Sequence, residues 1–152
     1  MTRVQMHDLS VELVRQALAA CGFRVQRGNR RGGPPVNARR FDLIVENLTV
    51  GVRVATRSTF PWSVLVNGKR YNYNYSGHRW NLHSHGRTQL RPDVWVFVAA
   101  TTPVRLFVVL GQRVHGAYTL TLREPSKTWL LECENRWGTI RELAAARQQT
   151  AA

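Results

Sequence analysis

The sequence predicts a single α/β domain in which a central mixed β-sheet is flanked by helices. Its 152 residues are enough for one domain with its own buried core. A helical pattern opens the chain, short apolar runs occupy the middle, and a second helical pattern closes it. One run, residues 93–100, is apolar at nearly every position, which is typical of an interior strand covered on both faces. This order of elements favours helices layered on one sheet.

The first helix is predicted over residues 8–21. Asp8 is expected to cap its start, and Gly22 follows its end. Apolar side chains recur at every fourth position and are expected to face the core: Leu9, Leu13, Ala17 and Cys21, with Val14 and Leu18 beside them. Glu12 lies off this apolar stripe, so its carboxylate is expected at the edge of the buried face.

Residues 27–40, "RGNRRGGPPVNARR", predict a basic loop or arm, because they are rich in Gly and Pro and show no periodicity. One interpretation is a solvated connector. The concentration of arginine favours another, in which the arm lies on a phosphate backbone. The side chains expected to contact that backbone are Arg30, Arg31, Arg39 and Arg40.

Two strands joined by a short turn are predicted over residues 41–46 and 50–57. In the second, valines alternate with small or basic residues, so Arg53, Ala55 and Arg57 are expected to share one face. Arg53 is also a candidate for nucleic-acid contact. The other predicted elements are strands over 93–100, 104–110 and 116–123, and a closing helix from 138 whose last residues, 147–152, are expected to fray.

Residues 59–92 form an unusual segment that is dense in aromatic and basic side chains. Asn67-Gly68 between two extended runs predicts a hairpin insertion. Aromatic rings interleaved with cations suit a surface that binds unstacked bases, but tyrosines that pack on a sheet give the same pattern. The candidates for nucleic-acid contact in this segment are Lys69, Arg70, Tyr71, Tyr73, Tyr75, Arg79, Trp80 and Arg87.

Charge is the strongest bulk signal. Twenty-two Lys and Arg residues against nine Asp and Glu residues leave a formal net charge of +13. So basic a domain repels itself unless a polyanion neutralises it, and arginine forks onto phosphate and stacks on bases. Nucleic acid is therefore the expected partner, with DNA favoured over RNA. The alternative is a compositional bias towards arginine without function.

Neither a membrane segment nor a signal peptide is expected, because no apolar run approaches about 18 residues and the start of the chain is polar. The chain is therefore expected to be cytoplasmic, with no membrane partner. Cys21 and Cys133 are far apart and are expected to be buried thiols. His78, His83 and His85 raise a second metal hypothesis, but no nearby carboxylate or cysteine completes a ligand set.

The order of elements resembles the PD-(D/E)xK, or restriction-endonuclease-like, nuclease superfamily. The matching pieces are a helix with a central Glu12, Asp42 at the start of the first strand in "FDLIV", the second strand ending in "GVRVATRS", and the later "RPDVWVFVA". The family's second strand reads G-x-x-h-E-h-K-T-S, where h is apolar. Its acidic position falls on Ala55 and its lysine position on Arg57.

The resemblance implies a phosphodiesterase centre that uses Mg²⁺ or Mn²⁺ held by carboxylates, with Asp42 and Glu12 as the candidate ligands. Ala55 supplies no oxygen, and an arginine cannot act as a base. Three readings stay open. The centre is degenerate and the domain binds nucleic acid without cutting it; a carboxylate from Glu12, Glu46 or Asp93 has moved into the centre; or Ala55 is an inactivating substitution.

Two alternatives without nucleic acid also stay open. The first is a module whose basic face binds an acidic protein. The second is a homodimer joined through the aromatic segment 60–82. Salt dependence separates them from nucleic-acid binding, because affinity for a polyanion falls steeply as salt rises.

Overall fold

The computed structural model of the chain describes residues 1–28, 41–83, 90–124 and 128–151. Within these ranges the chain forms two α-helices and eight strands, with short 3₁₀ helices at Gly111–Val114 and Trp129–Cys133. The helices are α1 (Arg3–Ala20) and α2 (Gly138–Ala151). The strands are β1 (Val25–Arg27), β2 (Leu43–Val45), β3 (Leu48–Ala55), β4 (Ser58–Val66), β5 (Lys69–Asn81), β6 (Val94–Ala99), β7 (Arg105–Leu110) and β8 (Thr119–Glu124).

Five strands form the central sheet in the order β1-β2-β3-β6-β7. β3 and β6 run parallel, from Val50 opposite Val94 to Ala55 opposite Ala99, and the other neighbours are antiparallel. The sheet is therefore mixed, as predicted, and β6 is an interior strand with every residue buried. One face packs against the helices through a cluster that includes Val14 and Leu18 of α1, Val52 of β3 and Ile140 of α2.

A second sheet, in the order β4-β5-β8, is separate from the first. The prediction of one sheet was therefore wrong. Trp80 of β5 and Leu122 of β8 pack with Trp95, Phe97 and Phe107 of the central sheet. The physical reason is burial: both helices contribute to the cluster on one face of the central sheet, and the aromatic side chains on the other face need apolar cover.

The predicted start of the first helix was wrong, and its predicted buried face is confirmed for Val14 and Leu18, with Ala17 half-buried against the same cluster. The helix begins five residues earlier than predicted, at Arg3, and is capped by Thr2, whose hydroxyl accepts from the N–H of Gln5 while the Gln5 side chain accepts from the N–H of Thr2. Its buried residues are Ser10, Val11, Val14 and Leu18, whereas Leu9, Leu13 and Cys21 are exposed. The stripe 11, 14, 18 has helical spacing too, and it is the one that meets the valines of β3.

The hairpin turn was predicted correctly, since Asn67 and Gly68 join β4 to β5 with positive φ angles of 51° and 77°. β1 was not predicted, and β3 ends at Ala55, two residues before the predicted end. α2 continues to Ala151, through most of the tail that was expected to fray. Among the residues that the structure describes, no helix has the length and apolar character needed to cross a membrane.

Candidate active centre and nucleic-acid interface

Asp42 lies just before β2, where this strand diverges from β3. Its side chain is only 5% exposed, and its Oδ2 accepts a hydrogen bond of 2.8 Å from the backbone N–H of Val52. The backbone N–H of Asp42 donates to the carbonyl of Val50 at 3.1 Å. The carboxylate therefore accepts from a backbone N–H, that of Val52, which strand pairing does not satisfy. This is a structural role for Asp42.

Two basic side chains approach Asp42. His7 Nε2, on α1, is 3.4 Å from Asp42 Oδ1 and 3.0 Å from the carbonyl oxygen of Val52. An Nη of Arg53 is 3.8 Å from Asp42 Oδ2. Sequence reasoning missed His7, because an isolated histidine on a helix carries no signal of the strand against which it packs.

Arg53 ties the two sheets together. Its guanidinium donates to the carbonyl of Val52 and, through Nε at 3.1 Å, to the carbonyl of Asn81 on β5. It also lies 5.0 Å from the ring centre of Trp95. Burial lowers the pKa of Arg53, and the neighbouring charge of Asp42 opposes this effect. These contacts hold the arginine within the protein and leave it poorly placed to bind a ligand.

Ala55 and Arg57 do not share a strand face. Ala55 is 9% exposed and packs in the cluster that contains Trp80 and Ala99, beneath the second sheet. Arg57 is exposed in the two-residue connection after β3 has ended. The expectation of one face with Arg53, Ala55 and Arg57 in line is therefore wrong, because the chain leaves the sheet at Ala55.

Glu12 is the other predicted metal ligand, and its carboxylate is already paired with cations. Arg15 Nε donates to it at 2.9 Å and Arg27 at 2.8 Å, and Gln16 donates at 3.3 Å. The hydrogen bond from Arg15 is the main cause that lowers the pKa of Glu12 to about 2. Glu12 is thus an ionised partner of two arginines.

The other candidate carboxylates have structural partners as well. Glu46 accepts from the backbone N–H of Arg24 at 2.8 Å. Asp93 accepts from the N–H and the hydroxyl of Thr49 and pairs with Arg147. Across the described ranges, no three His, Cys, Asp or Glu residues are grouped so that they could hold a metal ion. Asp42 and Glu12 are therefore not part of a group of three such side chains within these ranges.

The histidines near residue 80 do not form a described cluster either. His78 is fully buried and its ring stacks on Trp80, at 6.0 Å between ring centres. His83 lies against Tyr118, whose carbonyl is 3.4 Å from Nδ1. His85 is outside the described residues.

We expect the carboxyl group of Glu12 to titrate near pH 2. Its folded pKa is below the ordinary 4.5, so the stability contributed by ionised Glu12 is present above about pH 4.5 and is lost as the pH falls towards 2. Replacement of Arg15 by Gln should move the midpoint up towards 4.5. NMR titration of the side-chain carboxyl carbon measures this, with Arg24→Gln as the control that leaves Glu12 unchanged. An unchanged midpoint in Arg15→Gln would contradict the ion pair.

A long acid-free stretch surrounds the hairpin. Between Glu46 and Asp93 the chain has no Asp or Glu but seven Lys or Arg residues. Five of these basic residues are described as exposed: Arg57, Lys69, Arg70, Arg79 and Arg91. The stretch therefore carries a local excess of positive charge around the hairpin.

The hairpin extends beyond the second sheet as a two-stranded ribbon. Among the described residues, β8 pairs with residues 76–81 of β5, whereas β4 and β5 stay paired from Phe60 opposite Tyr75 to Val66 opposite Lys69. Residues 60–75 are called the ribbon below. Most of its side chains are exposed, so the ribbon offers two faces to solvent.

One face of the ribbon, the aromatic face, carries Phe60, Trp62, Tyr71, Tyr73 and Tyr75. Phe60 pairs with Tyr75 and Trp62 with Tyr73, with ring centres 5.7 and 5.8 Å apart. Cations cover several of these rings: Arg79 lies 4.1 Å from Phe60, Arg123 lies 4.8 Å from Tyr75, and Lys69 lies 5.5 Å from Tyr71. These pairs stiffen the ribbon, although Trp62 and Tyr73 remain 45% and 51% exposed.

The opposite face of the ribbon, the polar face, carries Ser63, Arg70, Asn72 and Asn74 between Pro61 and Leu65. Arg70 donates to the hydroxyl of Ser63 across the strand pair at 3.0 Å. Sequence reasoning missed Asn72 and Asn74. The signal was present in "RYNYNY", because strict alternation places the tyrosines on one face and the asparagines on the other.

Trp80 must be removed from the candidates for base contact. It is 1% exposed, and its Nε1 donates to the carbonyl of Val98 in the central sheet. It belongs to the core because β5 carries it past the ribbon into the space between the sheets. Several predicted contacts lie outside the described residues: Arg30, Arg31, Arg39, Arg40 and Arg87.

Comparison with known proteins supports a nuclease-like fold. No family model and no curated protein matches the chain. Among solved structures, the bacterial homing endonuclease I-Ssp6803I is similar with a TM-score of 0.63 and 15% sequence identity, over 98% of this chain and 99% of that chain. The predicted α/β fold with a central mixed sheet is thereby confirmed. The narrower assignment to the PD-(D/E)xK superfamily stays a prediction.

Proposed function

We propose that this chain is a nucleic-acid-binding domain of PD-(D/E)xK nuclease fold whose phosphodiesterase centre is degenerate. The observation that carries the proposal is the acid-free stretch, which places exposed cations around a projecting ribbon. Phosphate contacts by such cations supply most of the sequence-independent affinity for nucleic acid. The likeness to a homing endonuclease supports the same class of ligand.

The degenerate centre follows from the donor set. Metal-assisted hydrolysis of a phosphodiester needs carboxylates that point at a shared ion. Asp42 accepts from the N–H of Val52, Glu12 is paired with arginines, and Ala55 provides no oxygen. Migration of Glu12 into the centre would break its ion pairs with Arg15 and Arg27, so a relocated Glu12 is the less favoured alternative.

The test combines binding and cleavage for three proteins: the chain as it stands, Ala55→Glu, and Ala55→Gln as an uncharged control of similar size. Labelled duplex and single-stranded DNA are incubated with Mg²⁺ or Mn²⁺, and gel-shift assays run in parallel. We expect the unmodified chain to bind without cutting. We expect cleavage from neither Ala55→Glu nor Ala55→Gln, because position 55 is buried in the cluster with Trp80 and Ala99 and a carboxylate there does not reach a bound phosphate.

Two results would contradict the proposal in different ways. Cleavage by the unmodified chain that Asp42→Asn abolishes would show an active centre with a relocated ligand. Absence of binding to every nucleic acid at low salt would remove the nucleic-acid function, and the basic surface would then be assigned to an acidic protein partner.

A further inference from the structure

We propose that the ribbon enters the major groove of duplex DNA and that its polar face recognises base edges through Arg70, Asn72 and Asn74. This inference rests on the proposed nucleic-acid binding and names the form of nucleic acid and the residues that select its sequence. The composition of the segment first draws attention to the aromatic face. The inference concerns the opposite, polar face.

The chemistry of the polar face suits base edges. An asparagine amide can donate to and accept from adenine at the same time, and an arginine guanidinium can donate twice to guanine. The polar face presents two such amides and one such guanidinium on a single strand. The hydrogen bond from Arg70 to Ser63 holds the guanidinium on this face before any ligand arrives, which limits the entropy lost on binding.

The spacing of these side chains matches the spacing of base pairs. Arg70, Asn72 and Asn74 occupy alternate positions of β5, so neighbouring side chains on this face are about 6.8 Å apart along the strand. Base pairs of duplex DNA are stacked about 3.4 Å apart. A strand that follows the groove therefore places successive side chains of the polar face about two base pairs apart. The three side chains together span about four base-pair steps.

The shape of the ribbon selects the form of nucleic acid. The major groove of B-form DNA is about 12 Å wide and accepts a two-stranded ribbon. The major groove of A-form RNA is deep and too narrow for side chains to read. A single strand offers no groove at all, and it would use the aromatic face instead. The polar face therefore favours duplex DNA.

The polar face also lies on the side of the ribbon that continues into the protein body. His78 and Trp80 occupy the same alternate positions of β5, and there this side packs on the central sheet. Arg57 is exposed in the connection that leads into β4, at the root of the ribbon. A duplex held against the polar face is thus placed beside the protein body.

The aromatic face then supports the ribbon mechanically. Its rings pair across the strands, and Arg79 and Arg123 cover them. An isolated two-stranded hairpin is marginally stable in water. Cross-strand aromatic pairs and cation–π contacts on one face keep the ribbon folded while the other face meets the groove.

The test compares three proteins: the full chain, Asn72→Ala/Asn74→Ala, and Tyr71→Ala/Tyr73→Ala as a matched pair on the opposite face of the same strand. Each is used to select sites from a pool of duplexes with a randomised centre. Affinities are then measured for the selected duplex, an unrelated duplex and a single strand. Thermal unfolding of all three proteins reports whether the substitutions preserve the fold.

We expect the unmodified chain to prefer its selected duplex. In Asn72→Ala/Asn74→Ala this preference should fall by roughly tenfold to a hundredfold for each base pair that loses its contact, with little change for the unrelated duplex. Tyr71→Ala/Tyr73→Ala should keep the same preferred base pairs, because the Phe60–Tyr75 pair and the arginines that cover it still hold the ribbon. A preference that survives loss of both asparagines would overturn the inference.

Two other outcomes would also overturn it. If all duplexes bind equally well to the unmodified chain, the ribbon reads no base edges, although the proposed nucleic-acid binding stands. If the single strand binds best and loses affinity in Tyr71→Ala/Tyr73→Ala, the aromatic face is the binding surface. Failure to bind any nucleic acid would instead refute the proposed function itself.

Discussion

Affinity for duplex DNA is expected to fall about five hundredfold when salt is raised from 50 to 200 mM. The estimate assumes about five phosphate contacts, each of which contributes about 0.9 to the slope of log affinity against log salt. The acid-free stretch carries five exposed cations, which is the number assumed whichever face of the ribbon meets the DNA: Arg57, Lys69, Arg70, Arg79 and Arg91. The physical reason is release of the counterions that condense on DNA.

The salt slope can be assigned to particular side chains. Replacement of Arg57 and Arg91 by Gln should lower the slope by about two and weaken binding equally on all sequences. Arg24→Gln is the matched control, since Arg24 is exposed but pairs with Glu46 outside the acid-free stretch. Fluorescence anisotropy at five salt concentrations measures the slope. Affinity for DNA that does not depend on salt would contradict binding through phosphate contacts.

Trp80→Ala should destabilise the fold by roughly 3–5 kcal/mol, the usual loss for a buried tryptophan. Trp80 fills the space between the sheets against Phe97 and Phe107, with ring centres 5.3 and 6.2 Å away, and its indole N–H is satisfied by Val98. The substitution leaves a cavity and an unpaired carbonyl. For a domain of this size the midpoint of thermal unfolding should fall by about 10 °C.

Trp62→Ala is the matched control for Trp80→Ala. Trp62 is half-exposed on the ribbon, so its loss should destabilise the fold by only about 1 kcal/mol, the value of a cross-strand aromatic pair. Urea unfolding of both variants measures the difference. If Trp80→Ala kept full stability and lost affinity for nucleic acid, the placement of Trp80 in the core would be wrong.

Local signals in the sequence were enough to predict several elements. The Asn67-Gly68 pair defines a tight turn because both residues tolerate positive φ, and β4 and β5 follow from the extended runs beside it. The continuous apolar run of β6 indicates a strand buried on both faces, and the structure places it in the sheet interior. Such features depend on a few neighbouring residues, so tertiary contacts do not change them.

The buried face of α1 was predicted correctly for Val14 and Leu18 and wrongly for Leu9 and Leu13, because periodicity alone leaves the face ambiguous. Leu9 and Leu13 form one apolar stripe, and Val11, Val14 and Leu18 form another. Both have helical spacing, and only the position of β3 decides which is covered. The second sheet escaped prediction for a similar reason, since the pairing of β5 with β8 joins residues about 40 positions apart.

The candidate centre was likewise predictable in part from the sequence, and the rest depended on tertiary packing. The spacing of Asp42, Ala55 and Arg57 can be read from the sequence, and so can the missing carboxylate. The partners of the acidic side chains cannot be read from the sequence. Glu12 contacts Arg27 and Asp93 contacts Arg147 only after distant segments have packed together. A residue's availability for chemistry depends on these partners.

The sequence by itself determined two features: a stretch without acidic residues, and tyrosines and asparagines that alternate along β5. These properties belong to residue types and to the two-residue repeat of a strand. Only the tertiary structure decided that Trp80 is core while Trp62 is surface, and that Arg53 joins the two sheets. The repeat of a strand separates two faces, but which face is covered depends on what packs against it, and that is a property of the whole fold.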